Sequence, residues 1–527
     1  MEEKNDWESG GLSLLKKGQK GLFAVIFSRL GIIVLLFLLQ LFLLFAVVRW
    51  FTRFLPHVFA LSVVMDAIMV PVLLSSRTDP TAQITWLMVI MVMPVFGALL
   101  YLYTRSDFGH RTLRRLIRET TEQNRRRIKQ DPAAMQRLEE ENAHAAALVR
   151  YMRRSGCHPV VDRTDVTYFP LGEDKWARLL TELEKAEKFI FLEYFIIDEG
   201  LMWGRVLEIL ARKAKEVVEV RLLYDGTNEF STLPHDYPER LRKLGIQCKM
   251  FAPLTPFLST HYNYRDHRKI LVIDGHTAFN GGVNLADEYI NRKKKYGHWK
   301  DTAVMLRGEA VRSFTLMFLQ MWHLQDKEAE YDRYLTVPTP GPEHANGFVI
   351  PYGDCPLDED KLGERVYLDI LNHARHYVHI MTPYLILDSE MENALIYAAE
   401  RGVDVRIIMP GIPDKEMAYA LAKTYYPALL AAGVRIYEDT PGFVHAKVFT
   451  CDDDTAVVGT INLDYRSLYH HFECATYLYR TDCIAQIEAD FQQTLSRCAR
   501  VTPETLKKEP LKRRIMGPML KVIAPLL

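Results

Sequence analysis

Long apolar runs open the chain, and short alternating strand-like and helix-like patterns fill the rest. GIIVLLFLLQLFLLFAVV (31–48) carries one polar residue, Gln40, over a length that crosses a bilayer as a helix. It is too long for the apolar core of a cleaved leader, and no small-residue cleavage site follows. ITWLMVIMVMPVFGALLYLY (84–103) is a second candidate span. Trp86, Tyr101 and Tyr103 lie at its ends, where interfacial aromatics belong, and Pro94 is tolerable inside a membrane helix. VFALSVVMDAIMVPVLL (58–74) is shorter and holds Asp66 and Pro71. A charge at mid-depth is costly, so this segment reads either as a third span or as an interfacial or re-entrant helix.

Basic residues flank the region on both sides. Lys16, Lys17, Lys20 and Arg29 precede it; Arg105, Arg111, Arg114, Arg115, Arg118 and RRRIK (125–129) follow. The positive-inside rule places both flanks in the cytoplasm, which demands an even number of crossings and favours two spans. The basic 105–129 stretch reads as a helix attracted to anionic lipid or simply solvated. The tail LKKEPLKRRIMGPMLKVIAPLL (506–527) mixes basic and apolar residues, as a surface-lying helix or a docked tail would.

From about residue 160 the alternation predicts an α/β fold, and it occurs twice. FIFLEYFIID (189–198) parallels VHIMTPYLILD (378–388), VEVRLLYDGTN (218–228) parallels VDVRIIMPGIP (403–413), and LRKLGIQCKMF (241–251) parallels LLAAGVRIYED (429–439). Two copies mean a duplicated domain, not a solenoid. The expected organisation is a membrane anchor of two or three hydrophobic segments (1–104), a basic juxtamembrane helical linker (105–159), a first unit (160–330), a linker containing TVPTPGPEHANG (331–360), a second unit (361–500) and the tail (501–527).

Each unit then reaches a histidine. The first run is His267-x-Lys269, Asp274, then Gly281-Gly282-x-Asn284; the second is His445-x-Lys447, Asp452, then Gly459-Thr460-x-Asn462. The spacing agrees at every landmark. On a strand, residues two apart share a face, so each His and Lys should point the same way. The aspartates lie at an odd offset from the histidines, which predicts support of structure more than contact with substrate. The glycines allow close backbone approach, and the Asn amide can donate to an anion. A lone histidine on a strand is usually a packed or surface residue; packing alone would not fix five residue types at one spacing twice.

Composition narrows the classes. Lys plus Arg and Asp plus Glu each total 66 in 527 residues, so no global field points to nucleic acid. The seven cysteines are scattered without a C-x-x-C pair or a zinc-type ladder, and read as core thiols in a reducing compartment.

The paired H-x-K-x4-D-x6-G-[GST]-x-N pattern resembles the phospholipase D superfamily. Within it the chain is similar to bacterial cardiolipin synthases over nearly its whole length: WLMVIMVMPVFGALLYL, FNGGVNLADEY, WKDTAV, TPYLILDSEM, PGFVHAKVFTCDDDTAVVGTINLDYRS and HHFECATYLY all take part. The resemblance implies duplicated phospholipase D-like α/β domains in a pseudo-twofold pair behind N-terminal transmembrane helices, with one site shared by both halves. It implies a phosphodiester substrate and a catalytic set of His267, Lys269, Asp274, His445, Lys447 and Asp452, needing neither metal nor cofactor. In the superfamily's commonest assignment His267 is the nucleophile and His445 the acid and base; the near-symmetric sequence itself does not choose. Lys269 and Lys447 would bind the phosphate, with Asn284 and Asn462 as donors. Glu473 stands where a His-orienting acid follows the second histidine, and Asp301 would do the same for the first; each also reads as a surface or cap carboxylate. Arg466 reads as a headgroup contact or an interdomain salt bridge. Gly282 departs from the hydroxyl residue of many members, removing one phosphate donor.

The expected activity is transfer of a phosphatidyl group between two phosphatidylglycerol molecules, giving cardiolipin and glycerol. The alternative is a membrane-bound phospholipase D releasing phosphatidic acid, because acceptor choice depends on pocket shape and water exclusion. A lipid-binding module on a retired fold is opposed by the intact motifs, and a nuclease by the spans. Expected partners are phosphatidylglycerol, other anionic phospholipids and the cell membrane, with multi-pass insertion, cytoplasmic catalytic domains and no nucleic acid. Oligomeric state is not legible.

Overall fold

The alternating pattern beyond residue 160 forms two sheets of matching topology. A computed structural model provides the structure. It describes residues 58–526 apart from 77, 106–109, 254–263, 325, 327–329, 340, 343–344 and 359, and isolated positions such as Leu14 and Leu38 before them. Apart from isolated positions such as Leu38, the first candidate span, 31–48, and the basic residues ahead of it therefore lie outside the described residues.

The first half contributes Thr164–Phe169 (β1), Phe189–Tyr194 (β2), Glu219–Asp225 (β3), Gln247–Phe251 (β4), Arg265–Asp266 (β5), Lys269–Ile273 (β6), Thr277–Gly281 (β7), His298–Lys300 (β8) and Ala303–Gly308 (β9). The second contributes Phe348–Asp354 (β10), Tyr377–Met381 (β11), Asp404–Pro410 (β12), Arg435–Asp439 (β13), Gly442–Val444 (β14), Val448–Cys451 (β15), Thr455–Gly459 (β16), His471–Tyr479 (β17) and Cys498–Arg500 (β18). The first sheet runs β1-β9-β7-β6-β2-β3-β4, and the second β10-β17-β16-β15-β11-β12-β13-β18. Strand for strand these are the same order, with β18 added at one edge. In both, the β2-β3-β4 and β11-β12-β13 ladders are parallel and the motif hairpins antiparallel.

Central strands such as FIFLEY are buried along their whole length, as expected where helices cover both faces of a sheet. One apolar cluster joins the halves: Val272, Val304 and Phe318 from the first pack with Val448, Val458 and Leu478 from the second. Shared burial of this kind packs the two halves against each other around a common core. Two short strand pairs also cross between the halves: β5 runs parallel to β17, and β8 parallel to β14. All seven cysteines are unpaired, and most are buried.

The second candidate span is not one helix. Residues 80–105 form Pro80–Val92 and Pro94–Arg105, broken at Met93. Pro94 disfavours helical backbone at the residue before it and has no N–H to continue the ladder. Val58–Leu74 is a helix of 17 residues with Pro71 inside. Among the described residues, no helix is long and apolar enough to cross a membrane. These helices nonetheless expose Ile68, Val72, Leu74, Met91, Val92 and Leu99. Within the 105–159 linker His110–Arg127, Pro132–Glu141 and Ala143–Gly156 are helices, and the last buries Leu148, Val149 and Met152 against the core of the second half. In the tail, Leu511–Ile523 is a helix that buries Leu520 and exposes Leu511, Ile515 and Met519. Its Val522 carbonyl accepts from the Thr85 hydroxyl at 2.6 Å, tying the tail to the apolar N-terminal helices.

Candidate active site

Neither motif histidine lies within a strand. His267 follows β5 and precedes β6, and His445 occupies the matching break between β14 and β15. The backbone N–H of His267 donates to the Phe472 carbonyl at 2.9 Å, and that of His445 to the Lys300 carbonyl at 2.7 Å. Each histidine is therefore pinned by the opposite half, at the point where the chain leaves a cross-domain strand pair and enters its own sheet.

That crossing reassigns the orienting acids. Glu473 does not serve His445: both of its carboxylate oxygens lie 2.9 Å from Nδ1 of His267. Asp301 serves His445, with Oδ2 at 2.6 Å from Nδ1. The expected same-half pairing fails because β5 lies along β17 and β14 along β8, so each acid emerges beside the other half's histidine. Both acids are fully buried, not surface or cap groups.

Protonation follows from burial. His267 is pushed well below the ordinary imidazole value by desolvation, against the opposing pull of Glu473. His445 is lowered to about 4 by desolvation and by Lys447. Burial alone would raise the Glu473 carboxyl, but His267 opposite holds it below the usual range. Both imidazoles are neutral near pH 7. With Nδ1–H donated to a carboxylate, Nε2 carries the free lone pair.

The lysines stand behind the histidines. Lys269 and Lys447 are each 1 % exposed, and each ammonium donates to the carbonyl of the histidine two residues before it. Lys447 Nζ also lies 2.8 Å from Nδ1 of His445. Burial lowers Lys269 to about 8 and Lys447 to about 7.

The motif aspartates lie away from the cleft and are not placed to take part in the chemistry. Asp274 accepts from the backbone N–H groups of Glu187, Lys188 and Phe189 at 2.7–2.8 Å. Asp452 accepts from Arg375, His376 and Tyr377 at 2.7–2.9 Å. Both adopt left-handed backbone, with φ of 52° and 49°, which a short polar side chain tolerates. Each clamps the start of the strand beside its motif strand.

A cavity of about 870 Å³ brings His267 and His445 together with Asn284, Asn462, Arg466 and His471. Asn284 is largely spent on the protein: Nδ2 donates to the Tyr289 hydroxyl at 2.6 Å, and Oδ1 accepts from the Ile196 N–H at 3.0 Å. Asn462 keeps a buried Oδ1 without a partner among the described residues. The wall is aromatic (Phe195, Tyr289, Tyr296, Trp299, Tyr384), and Arg265, Lys293, Lys295 and Lys415 stand among Asp198, Glu288, Asp414 and Asp464. An amphiphile with an anionic headgroup suits such a lining. The Thr460 hydroxyl goes to Glu473, not to the cavity. A Cβ on Gly282 would sit 2.1 Å from Asp301 Oδ1, so glycine here makes room for the acid.

The sequence reading missed the aromatic wall and His471. Superposing WKD on HFE would have found the latter. Asp301 and Glu473 occupy equivalent places, and two residues upstream Trp299 answers to His471.

Comparison with known proteins agrees with this geometry. A family model described as "Cardiolipin synthase, PLD-like domain" matches residues 179–322 and 367–495, and one described as "Phospholipase_D-nuclease N-terminal" matches 58–105. A cardiolipin synthase of Alkalihalophilus pseudofirmus is 34% identical over 482 residues, 91% of this chain and 95% of that one. Cardiolipin synthase 2 of Bacillus anthracis is 35% identical over 458 residues, 86% and 89% of the two chains. An uncharacterized protein of Streptococcus mutans is 60% identical over 458 residues, 86% and 98%. Among solved structures, phosphatidylserine synthase of Haemophilus influenzae shares the fold, with a TM-score of 0.55 at 15% identity, over 72% of this chain and 100% of that one. With its duplicated sheets, its paired motifs and these matches spanning both halves, the chain belongs to the cardiolipin synthase family of phospholipase D-like proteins.

Proposed function

We propose that the protein joins two phosphatidylglycerol molecules into cardiolipin, releasing glycerol. The observation that carries this is one cavity holding two neutral histidines, each oriented by a buried acid from the opposite half. Nε2 of His267 attacks the phosphorus, and the P–O bond to glycerol breaks. His445, neutral in the free enzyme, takes up a proton from solvent on Nε2 as the anionic phosphate binds beside it, and gives that proton to the departing alkoxide. A hydroxyl of the second phosphatidylglycerol then attacks; His445 takes its proton back and the P–N bond breaks. Lys269 and Lys447 offset charge on the phosphoryl oxygens, and Glu473 stabilises the phosphohistidine cation. No step requires a metal or a cofactor.

Attachment to the membrane is part of the proposal. The apolar surface of residues 58–105, together with the exposed face of Leu511–Ile523, supports a site working at the bilayer, with the catalytic halves on the cytoplasmic side that the flanking basic residues favour.

The test is product analysis. Purified protein in detergent, given phosphatidylglycerol and no divalent metal, should yield cardiolipin and glycerol by mass spectrometry. His267→Asn and His445→Asn should each lower turnover by about 10²–10⁴-fold while staying folded. Phosphatidic acid as sole product would make the enzyme a hydrolase; near-normal activity in either variant would refute the shared site.

A further inference from the structure

The pseudo-twofold symmetry of the site is broken beside Glu473. His471 lines the cavity and is 8 % exposed, yet its Nδ1 has no hydrogen-bond partner among the described residues. It lies 3.6 Å from Glu473 Oε1, and its ring centroid is 5.3 Å from that of His267. The equivalent position in the first half is Trp299, 5.2 Å from His445 between centroids, which offers an aromatic face and no lone pair.

We propose that His267, His471 and Glu473 form an inhibitory site for a divalent transition-metal ion of the zinc type. The donor atoms of all three lie within 4.8 Å of one another. Nδ1 of His267 is 2.9 Å and Nδ1 of His471 3.6 Å from Oε1 of Glu473. A tetrahedral ion with metal–ligand bonds of about 2.0–2.1 Å sets its ligands roughly 3.3 Å apart, between those two separations. Two imidazoles and one carboxylate suit zinc or cobalt rather than magnesium or calcium, which prefer all-oxygen shells. The fourth position opens on the cavity, where water or a lipid phosphate can occupy it. Lys269 opposes the added charge, but its ammonium is already engaged by the His267 carbonyl.

Inhibition follows from the tautomer. Neutral His267 carries one N–H. Metal bound at Nδ1 takes that lone pair, and the proton relocates to Nε2 with no net release. Nε2 then has no lone pair and cannot attack phosphorus, so the first P–N bond never forms. This consequence rests on His267 being the nucleophile proposed above; the binding site itself does not.

The experiment uses the full chain in detergent, with Zn²⁺ as inhibitor and Co²⁺ as spectroscopic probe. Zn²⁺ should stop cardiolipin formation reversibly, with activity restored by a chelator. Co²⁺ should give the visible bands of a tetrahedral ion and lose them to Zn²⁺. His471→Asn should weaken both effects by at least the roughly 10- to 100-fold that loss of even an outer partner costs. His471→Cys should restore them, because a thiolate ligates zinc well. His267→Asn should lose the cobalt bands; that result decides the site even where no turnover is measured, which keeps it separate from the proposed reaction. A second cluster, His144, Asp369 and His373, also gathers three donors at the surface, and His373→Ala should leave zinc inhibition intact. Absence of cobalt bands in the unaltered protein, equal zinc sensitivity in His471→Asn, or loss of sensitivity in His373→Ala would overturn the proposal.

Discussion

At the scale of single residues, burial outweighs neighbours in setting the charge of the two histidines and two lysines, while at Glu473 the neighbour His267 outweighs burial. Lys447 sits near the pH at which it changes charge, lowered to about 7. A lysine binds phosphate only while protonated, so kcat/KM, which reports the free enzyme, should fall as pH rises through about 7. Lys447→Arg stays charged at all accessible pH; if active, its decline should move toward about 8, where Lys269 titrates. A pH series on the two proteins checks this. Stability bends the other way. His445 is held at about 4, while an unfolded histidine titrates near 6.5, so the unfolded chain binds more protons between those values. Stability should therefore fall as pH drops from about 6.5 toward 4, with a smaller fall in His445→Asn, read by thermal denaturation across that window. The residues that do this work were mostly legible. Two runs agreeing in His, Lys, Asp, Gly and Asn announce a shared purpose. Their partners were not, because 28 residues separate His445 from Glu473 along the chain whereas the acid's actual partner, His267, is 206 residues away.

At the scale of elements, each motif is a strand interrupted to serve two masters. β6 and β15 belong to their own sheets, while the short strands before them, β5 and β14, pair with β17 and β8 of the other half. Periodicity showed apolar runs and could not show that pairing changes partner within three residues. Asp274 and Asp452 hold the adjoining strands in register, each collecting three backbone N–H groups. Replacing either with Ala strands those donors at a cost of about 1–3 kcal/mol, so Tm should fall while kcat per folded molecule changes little. A collapse of kcat at unchanged Tm would instead put the aspartates in the chemistry. The segment 84–103 teaches a related lesson: apolar composition reports a preference for lipid or core, but Pro94 decides where the helix stops.

At the scale of the whole molecule, apolar surface gathers on the N-terminal helices and on the tail helix that bonds to them through Thr85. Leu511→Asp with Met519→Asp lies on the exposed face of the tail and should spare the fold. It should also weaken flotation of the protein with phosphatidylglycerol vesicles, most clearly in a version lacking residues 1–57. Unchanged flotation would assign that face another role. The duplication was plain from the order of elements; its closure into one cavity was not, since nothing in two similar stretches of sequence says they will face each other. That closure has a consequence for the life of the chain. His267 leaves the ribosome 206 residues before Glu473, roughly 10–40 s at translation rates of about 5–20 residues per second. During that interval a nascent chain already attached to lipid would carry a nucleophile with no acid to orient it and, for all but the last 28 residues, no second histidine to serve it. Under the proposed scheme, the site stays unassembled until the second half has been made as far as Glu473.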